Sequence, residues 1–218
     1  MNPQDMHTRL IIVEGLPGSG KSTTAAMIAA ELEARGRDVV CIDEGATDHP
    51  ADVGDYNFPD FATERATILD TWRRFIARAV PDTIYVFNCL LLQNPMCETM
   101  MRFGMDEDES RRYIGEIAAI IEPLHPAVVY IDEPDARAAI DGVRDERGDG
   151  WLNAVIDYHT SQGYGEAHGL RGYAGYIACL GERRERELRI LRSLAIDSRI
   201  IAPLSDAQQI AALLDSMR

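Results

Sequence analysis

The chain has 218 residues, enough to bury one α/β core and too few for two full domains. Its 36 acidic residues outnumber 22 basic ones, and the net charge of −14 argues against a nucleic-acid polymer or an anionic membrane surface as partner. Apolar runs fall far short of the about 20 residues a membrane span needs, and the polar stretch Met1 to Arg9 lacks an apolar signal core, so a cytoplasmic location is expected. Cys41, Cys89, Cys97 and Cys179 show no C-x-x-C spacing and read as small buried thiols, without a zinc site.

Leu10 to Glu14 is a short apolar run with the length of a buried strand, and an amphipathic stretch from Ser22 to Arg35, closed by Gly36, follows it. Between them lies Gly15-Leu16-Pro17-Gly18-Ser19-Gly20-Lys21-Ser22, which fits the Walker A pattern in its expected strand-to-helix setting. The chain uses arginine twenty-one times and lysine once, and the one lysine is Lys21. A compact ammonium fits inside a backbone wrapped around phosphates, where a planar guanidinium collides with it. Gly15, Pro17, Gly18, Ser19, Gly20, Lys21, Ser22 and Thr23 are therefore expected to cradle the phosphates of ATP. Lys21 would serve the transferred phosphoryl, and Ser22 would offer its hydroxyl to Mg²⁺.

A second strand is expected from Asp38 to Ile42. In parallel sheets ligands gather beyond the carboxyl ends of the strands, which draws attention to Asp43 and Glu44. A carboxylate there either accepts a proton from an attacking hydroxyl or holds Mg²⁺ through water, or it is only a solvated charge at a strand end. His49 follows in a loop, Asp48 to Phe58, either contacting an acceptor or facing solvent. A helix is read from Phe61 to Val80, stopped by Pro81, and a third strand from Thr83 to Asn88. Asn88, Gln93 and Asn94 bring three carboxamides together, suited to reading an acceptor without adding charge or to capping the turn around Pro95.

Helix Glu107 to Glu122 leads to a fourth strand, Ala127 to Ile131, and Val128 to Glu133 has the apolar-then-acidic form of a Walker B strand. Asp132 is either a metal carboxylate or a cap for the next helix, Asp135 to Arg144. Arg144 and Arg147 stand where that helix gives way to Gly148–Gly175, a stretch with seven glycines that reads as a mobile lid. On a lid these arginines would stabilise charge on a transferred phosphoryl; on a helix they would pair with Asp141, Asp145 or Glu146. Gly175 to Leu194 reads as a helix whose run Glu182 to Glu187 is either a solvated, self-paired face or the source of one arginine that faces the phosphates. A fifth strand, Arg199 to Ala202, and a helix, Ser205 to Met217, complete a single α/β domain with a parallel sheet, the segment about 145–175 being lid-like.

Glu14-Gly15, the phosphate loop, Glu44, the strand Tyr130-Ile131-Asp132 and the arginines Arg144 and Arg147 together resemble the thymidylate kinase and deoxynucleoside kinase group. The likeness spans most of the chain in order. It implies a P-loop NTPase fold with strand order 2-3-1-4-5, ATP and Mg²⁺ as cofactors, Glu44 as acceptor contact or base, and Arg144 and Arg147 on the lid. In that topology the third strand flanks the P-loop strand, which turns attention for the metal carboxylate away from Asp132. The group usually carries an acidic residue and an arginine at the end of the third strand, where this chain has Asn88-Cys89. Without that clamp a phosphate-bearing acceptor fits poorly, and a neutral or cationic hydroxyl fits better.

The expected activity is transfer of the γ-phosphoryl of ATP to a small-molecule hydroxyl, nucleoside-, sugar- or antibiotic-like. Lys21, Glu44, Arg144 and Arg147 would be its catalytic residues, and Glu44, His49, Asn88, Gln93 and Asn94 its substrate contacts. The alternative is an NTPase or nucleotide-dependent binding protein without phosphoryl transfer. A guanine-reading Asn-Lys-x-Asp motif is excluded, since no lysine exists beyond Lys21, and the Leu-Ser-Gly-Gly-Gln signature of transporter ATPases is absent.

Overall fold

The computed structural model describes residues 7–54, 56, 58–204 and 206–217. Parts of the N-terminal stretch, of the loop 48–58 and the predicted helix start at Ser205 lie outside them. Five strands, β1 (Leu10–Gly15), β2 (Val39–Ile42), β3 (Ile84–Asn88), β4 (Pro126–Ile131) and β5 (Asp197–Ile201), form one sheet in the order β2-β3-β1-β4-β5. Every pairing is parallel.

Side chains alternate across a strand, so the apolar run of β1 supplies both faces of the sheet. Leu10 and Ile12 join Phe87, Val128 and Tyr130 in one core, under α2 (Phe61–Arg78) and α4 (Glu107–Ile121). Ile11 and Val13 join Val86 and Val129 in the other, under α1 (Lys21–Ala34) and α8 (Ala207–Ser216). Each fully buried Ile or Val contributes about 1.5–3 kcal/mol, so the central strand is the most strongly fixed part of the sheet. The phosphate loop follows directly from it. The fold is that of a P-loop NTPase.

Three stretches differ from the sequence reading. Residues 89–106 contain a short helix, α3 (Gln93–Met96), and a π-helical turn over Cys97–Arg102, where Phe103 N–H reaches back to Glu98 O. β5 begins two residues before the predicted start, because the polar Asp197 and Ser198 still pair with Ala127 and Val128 at the sheet edge. The largest difference is the expected irregular lid. Residues 136–160 form one kinked helix, α5 (Ala136–Thr160), followed by α6 (Gly163–Ala167) and α7 (Gly172–Ser193).

Three of the glycines that suggested irregularity punctuate this region. Gly148 makes the kink at φ 83°, ψ 171°, while Gly163 and Gly172 open the two later helices at positive φ. Past the kink, Leu152 recovers the apolar face and packs with Leu16, Ile140, Tyr176 and Leu180.

Cys89 and Cys179 are buried as expected, whereas Cys41 is exposed because β2 is an edge strand. Among the described residues, no helix is long and apolar enough to cross a membrane.

Candidate functional site

The phosphate loop owes its glycines to different causes. A Cβ on Gly15 would lie 2.6 Å from Ile131 O, and one on Gly18 would lie 2.5 Å from Ala139 O, so both residues let backbones of β4 and α5 approach. Gly20, at φ 89°, has no atom within 4 Å of its Cβ position, so its glycine is required by conformation. Gly20 caps α1 without a side-chain hydrogen bond, and no acidic residue occupies the first turn. The positive end of a 14-residue helix therefore points from the loop with its N–H groups uncovered by side chains. Lys21 is buried beside it and donates from Nζ to Leu16 O at 2.9 Å.

Ser22 connects this helix to the end of β3. Asn88 Nδ2 donates to Ser22 Oγ at 3.1 Å and to Asp43 Oδ1 at 2.8 Å, while Asn88 Oδ1 accepts the Glu44 N–H at 2.8 Å. Asn88, expected to touch an acceptor, instead ties three residues of the site together. Glu14 organises the next turn in a comparable way. Its buried carboxylate accepts the N–H groups of Leu91, Leu92 and Gln93 at 2.8, 2.8 and 3.1 Å. Burial raises its pKa to about 7 against these hydrogen bonds, with nearby Glu187 adding to the rise. The turn also holds Cys89 at φ 64°, which costs a non-glycine residue about 1–2 kcal/mol. Burial pushes the Cys89 thiol well up, while Lys21 pulls it down and Glu44 adds to the rise. Gln93 is thereby set beside Glu44, donating from Nε2 to Glu44 Oε2 at 3.2 Å.

A cavity of about 340 Å³ opens from the loop. Pro17, Gly18, Gly20, Lys21, Ser22 and Thr23 line one end, and Glu44 and Gln93 a side. The remaining wall comes from α5 and α7. Arg147 stands just before the kink with its guanidinium 5.6 Å from the Trp151 ring centroid, and both line the cavity. The buried residues His159, Tyr176 and Arg183 also line it.

His159 falls in the glycine-rich stretch that reads as irregular, and Arg183 in a charge run that reads mainly as solvated. Arg183 and Glu187 are 1% and 0% exposed, not solvated, and form an ion pair at 3.1 Å between Arg183 Nε and Glu187 Oε1. Tyr130 donates its hydroxyl to Glu187 Oε2 at 2.8 Å, and Arg183 Nη1 donates to Cys97 Sγ at 3.2 Å. The signal available in the sequence was spacing: Tyr176, Arg183 and Glu187 fall seven and four residues apart, on one helix face. That face is apolar at Leu180 and Cys179, which marks it as inward.

Other predicted residues lie elsewhere. His49 is buried against Phe87 at 4.5 Å between ring centroids, accepts the Ala51 N–H at Nδ1, and borders a separate groove with Arg74 and Arg78. Asn94 donates to Tyr56 Oη at 3.1 Å, which fixes the loop after β2. Arg144 is exposed and pairs with Asp149 at 2.7 Å; it borders a separate groove with Asp141 and Tyr173 and does not line the cavity, although it lies one turn from Arg147 on the same helix. Asp132 accepts from Arg184 Nε at 2.6 Å. β4 also flanks β1, so strand adjacency alone did not set Asp132 aside; its arginine partner does.

Mg²⁺ bound with nucleotide needs few protein ligands, because phosphates and water complete its shell. The Ser22 hydroxyl fits that requirement, and Asp43, joined to Ser22 through one carboxamide, is the carboxylate suited to act through water. Among the described residues, no group of three or more His, Cys, Asp or Glu residues forms a protein-only metal site.

Comparison with known proteins finds one family model, described as "Chromatin associated protein KTI12", which matches residues 8–80. That span runs from β1 to just past α2. Among solved structures, Kti12 from Chaetomium thermophilum in complex with ADP-AlF3 is similar, with 16% identity, 96% of this chain and 99% of that chain covered, and a TM-score of 0.48. The YorR protein from Bacillus subtilis in complex with phosphorylated GDP is similar with 15% identity, 94% and 95% coverage, and a TM-score of 0.48. No curated protein matches.

Proposed function

We propose that this chain is a P-loop protein that binds ATP·Mg²⁺ and couples the state of that nucleotide to a second, small ligand. One observation carries this reading: the cavity that begins at Gly18, Lys21 and Ser22 continues past Glu44 to a wall formed by α5 and α7. The triphosphate would lie against the N-terminus of α1, with Lys21 on its outer phosphates. Ser22 would hold Mg²⁺ with the nucleotide, and the metal would supply neutralisation of charge on the phosphates. The family-model match, residues 8–80, takes in the phosphate loop and Glu44 but not the wall formed by α5 and α7. A single domain in which the segment from about 145 to 175 moves relative to the sheet, about Gly148, belongs to the same reading.

A second reading is phosphoryl transfer to the ligand, favoured by Glu44 lining the same cavity as Lys21. The acceptor oxygen would form a bond to the γ-phosphorus as the bond to the β–γ bridging oxygen breaks. ADP would leave, and the acceptor's proton would pass to Glu44. With water as acceptor the same displacement is ATP hydrolysis. Arg147, which borders the cavity, would meet the transferred charge in this reading; Arg144 does not line the cavity. The likeness to the thymidylate kinase and deoxynucleoside kinase group agrees with this second reading.

The test is incubation of the full chain with ATP carrying a radiolabelled γ-phosphate, Mg²⁺ and fractionated metabolite pools. Nucleotide binding with ADP formation that one fraction accelerates is the expected outcome. Label in an organic product selects transfer, and label only in inorganic phosphate selects hydrolysis. Failure of ATP·Mg²⁺ to bind at millimolar concentration would refute both.

A further inference from the structure

Three buried side chains from two helices that line the cavity carry polar atoms without a hydrogen-bond partner: His159 Nε2, Tyr176 Oη and Arg183 Nη2. Such atoms are uncommon in a folded interior, because each costs about 1–3 kcal/mol when it loses water and gains nothing. They also stand together. The rings of His159 and Tyr176 are 4.8 Å apart between centroids, and Tyr176 and Arg183 lie two turns apart on the same face of α7.

The chemistry each atom offers can be read from its other contacts. His159 Nδ1 lies 2.7 Å from Val155 O, so that nitrogen carries the proton and Nε2 presents a lone pair. Burial lowers the imidazole pKa to about 4, with Arg183 adding to the fall, so the ring stays neutral. Arg183 Nη2 is a donor, and the Tyr176 hydroxyl donates or accepts. The set therefore suits a group with both a hydroxyl proton to give and oxygen lone pairs to receive. Charge narrows it further: Arg183 is already matched by Glu187 at 3.1 Å, and Lys21 and Arg147 on the lining are offset by Glu44 and Glu146, so the cavity holds no surplus positive charge to compensate an anion. Trp151 and Val155 supply an apolar side on which a ring can lie.

Taking the cavity as a second-ligand site, as proposed above, we infer that His159, Tyr176 and Arg183 form the recognition end of a subsite for an uncharged, ring-bearing polyol. One hydroxyl donates to His159 Nε2, and oxygens of the same molecule accept from Arg183 Nη2 and Tyr176. A further hydroxyl is left toward Lys21 and Glu44. These three are positioning residues; none of them acts on the phosphoryl group.

The experiment is ligand-observed saturation-transfer NMR on the full chain with a non-hydrolysable ATP analogue and Mg²⁺. The probes are D-ribose, D-glucose and myo-inositol as neutral polyols, D-glucuronate as an anion and D-glucosamine as a cation on the same ring scaffold. At least one neutral polyol is expected to bind more tightly than both charged sugars, and Tyr176→Phe is expected to weaken it about 5- to 10-fold, the loss of one hydrogen bond in a buried site. Tyr176→Phe removes only an unpartnered oxygen, so its fold should survive, which thermal unfolding verifies. Absence of binding by all three neutral polyols, tighter binding of glucuronate, or an unchanged affinity in the variant would overturn the inference. Nucleotide binding is scored separately on the wild-type chain without sugars, so a failure of the ATP reading is seen independently.

Discussion

Asn88 donates to Ser22 Oγ across 3.1 Å, joining the end of β3 to the first turn of the phosphate-loop helix at the hydroxyl suited to Mg²⁺. The same carboxamide also holds Asp43 and the Glu44 backbone, so three parts of the site share one support. Asn88→Ala is expected to lower affinity for ATP by about tenfold in Mg²⁺, the scale of one lost charge-assisted contact, and to change it little in EDTA. Titration with a fluorescent ATP analogue under both conditions decides this. Equal losses with and without Mg²⁺ would show that Asn88 supports the loop generally rather than the metal side of it.

Lys21 is buried, with its ammonium 2.9 Å from Leu16 O. The wide guanidinium of Lys21→Arg has no room beneath a loop whose Leu16 is itself fully buried. Loss of ATP turnover with the charge retained is the expected result, by about 100-fold or more on the scale of a removed phosphate-stabilising group. Turnover near the wild-type rate would refute the steric account.

Much of this site was legible from local patterns, and the missing part has a physical cause. The run Leu10 to Glu14 followed by Gly15 to Ser22 is contiguous, so one motif reveals strand, loop and helix together. The expected strand order, 2-3-1-4-5, is the order of the sheet. The α5–α7 wall was hidden because composition misled: seven glycines suggested irregularity, and Glu182 to Glu187 suggested solvent. A glycine at a kink and a glycine in a loop look alike in sequence, and a charged residue on a helix is buried only when a distant element covers it. Tyr130 of β4 and Cys97 of the π turn perform that covering for Glu187 and Arg183. His49 and Arg144 border other grooves for the complementary reason, since nearness in sequence to a strand end or a lid does not fix the direction of a side chain.

Gly18 and Gly20 belong to one motif and are expected to fail differently. A methyl group at Gly18 would meet Ala139 O at 2.5 Å and Val143 Cγ2 at 2.9 Å, and φ is 81°. Gly18→Ala should therefore displace α5 and reduce stability by about 2–3 kcal/mol through overpacking added to backbone strain. Gly20→Ala meets nothing within 4 Å and should cost only the about 1–2 kcal/mol of its positive φ. Chemical denaturation of both variants measures the difference. A Gly20 variant less stable than the Gly18 variant would contradict the packing assigned to α5.

Glu44 lines the cavity beside Lys21 and accepts from Gln93 Nε2 at 3.2 Å. If it takes the acceptor's proton, Glu44→Gln should reduce kcat by about 100-fold while ATP affinity stays within about twofold. Single-turnover rates and nucleotide titration separate the two effects. A loss of ATP affinity in Mg²⁺ with little change in EDTA would move Glu44 from proton acceptance to the metal shell.

The buried imidazole of His159 makes stability depend on pH with a definite sign. Burial and Arg183 lower its pKa from 6.5 to about 4 in the folded chain, so the folded state holds the ring neutral while the unfolded state protonates it. A depressed pKa contributes stability that is present above the unfolded value and is lost as pH falls through the window from 6.5 toward 4. Between pH 7 and pH 5 that loss amounts to about 2 kcal/mol. Glu14 acts in the opposite direction: its pKa is raised to about 7, so its contribution improves as pH falls through that value. The two can be separated by His159→Gln, which keeps Glu14 and removes the imidazole. Urea unfolding at pH 7 and pH 5 should then show the wild type losing about 2 kcal/mol more than the variant over that interval. Identical pH dependence in the two proteins would mean that His159 is not held neutral, and that its Nε2 is not the lone-pair acceptor that the cavity presents.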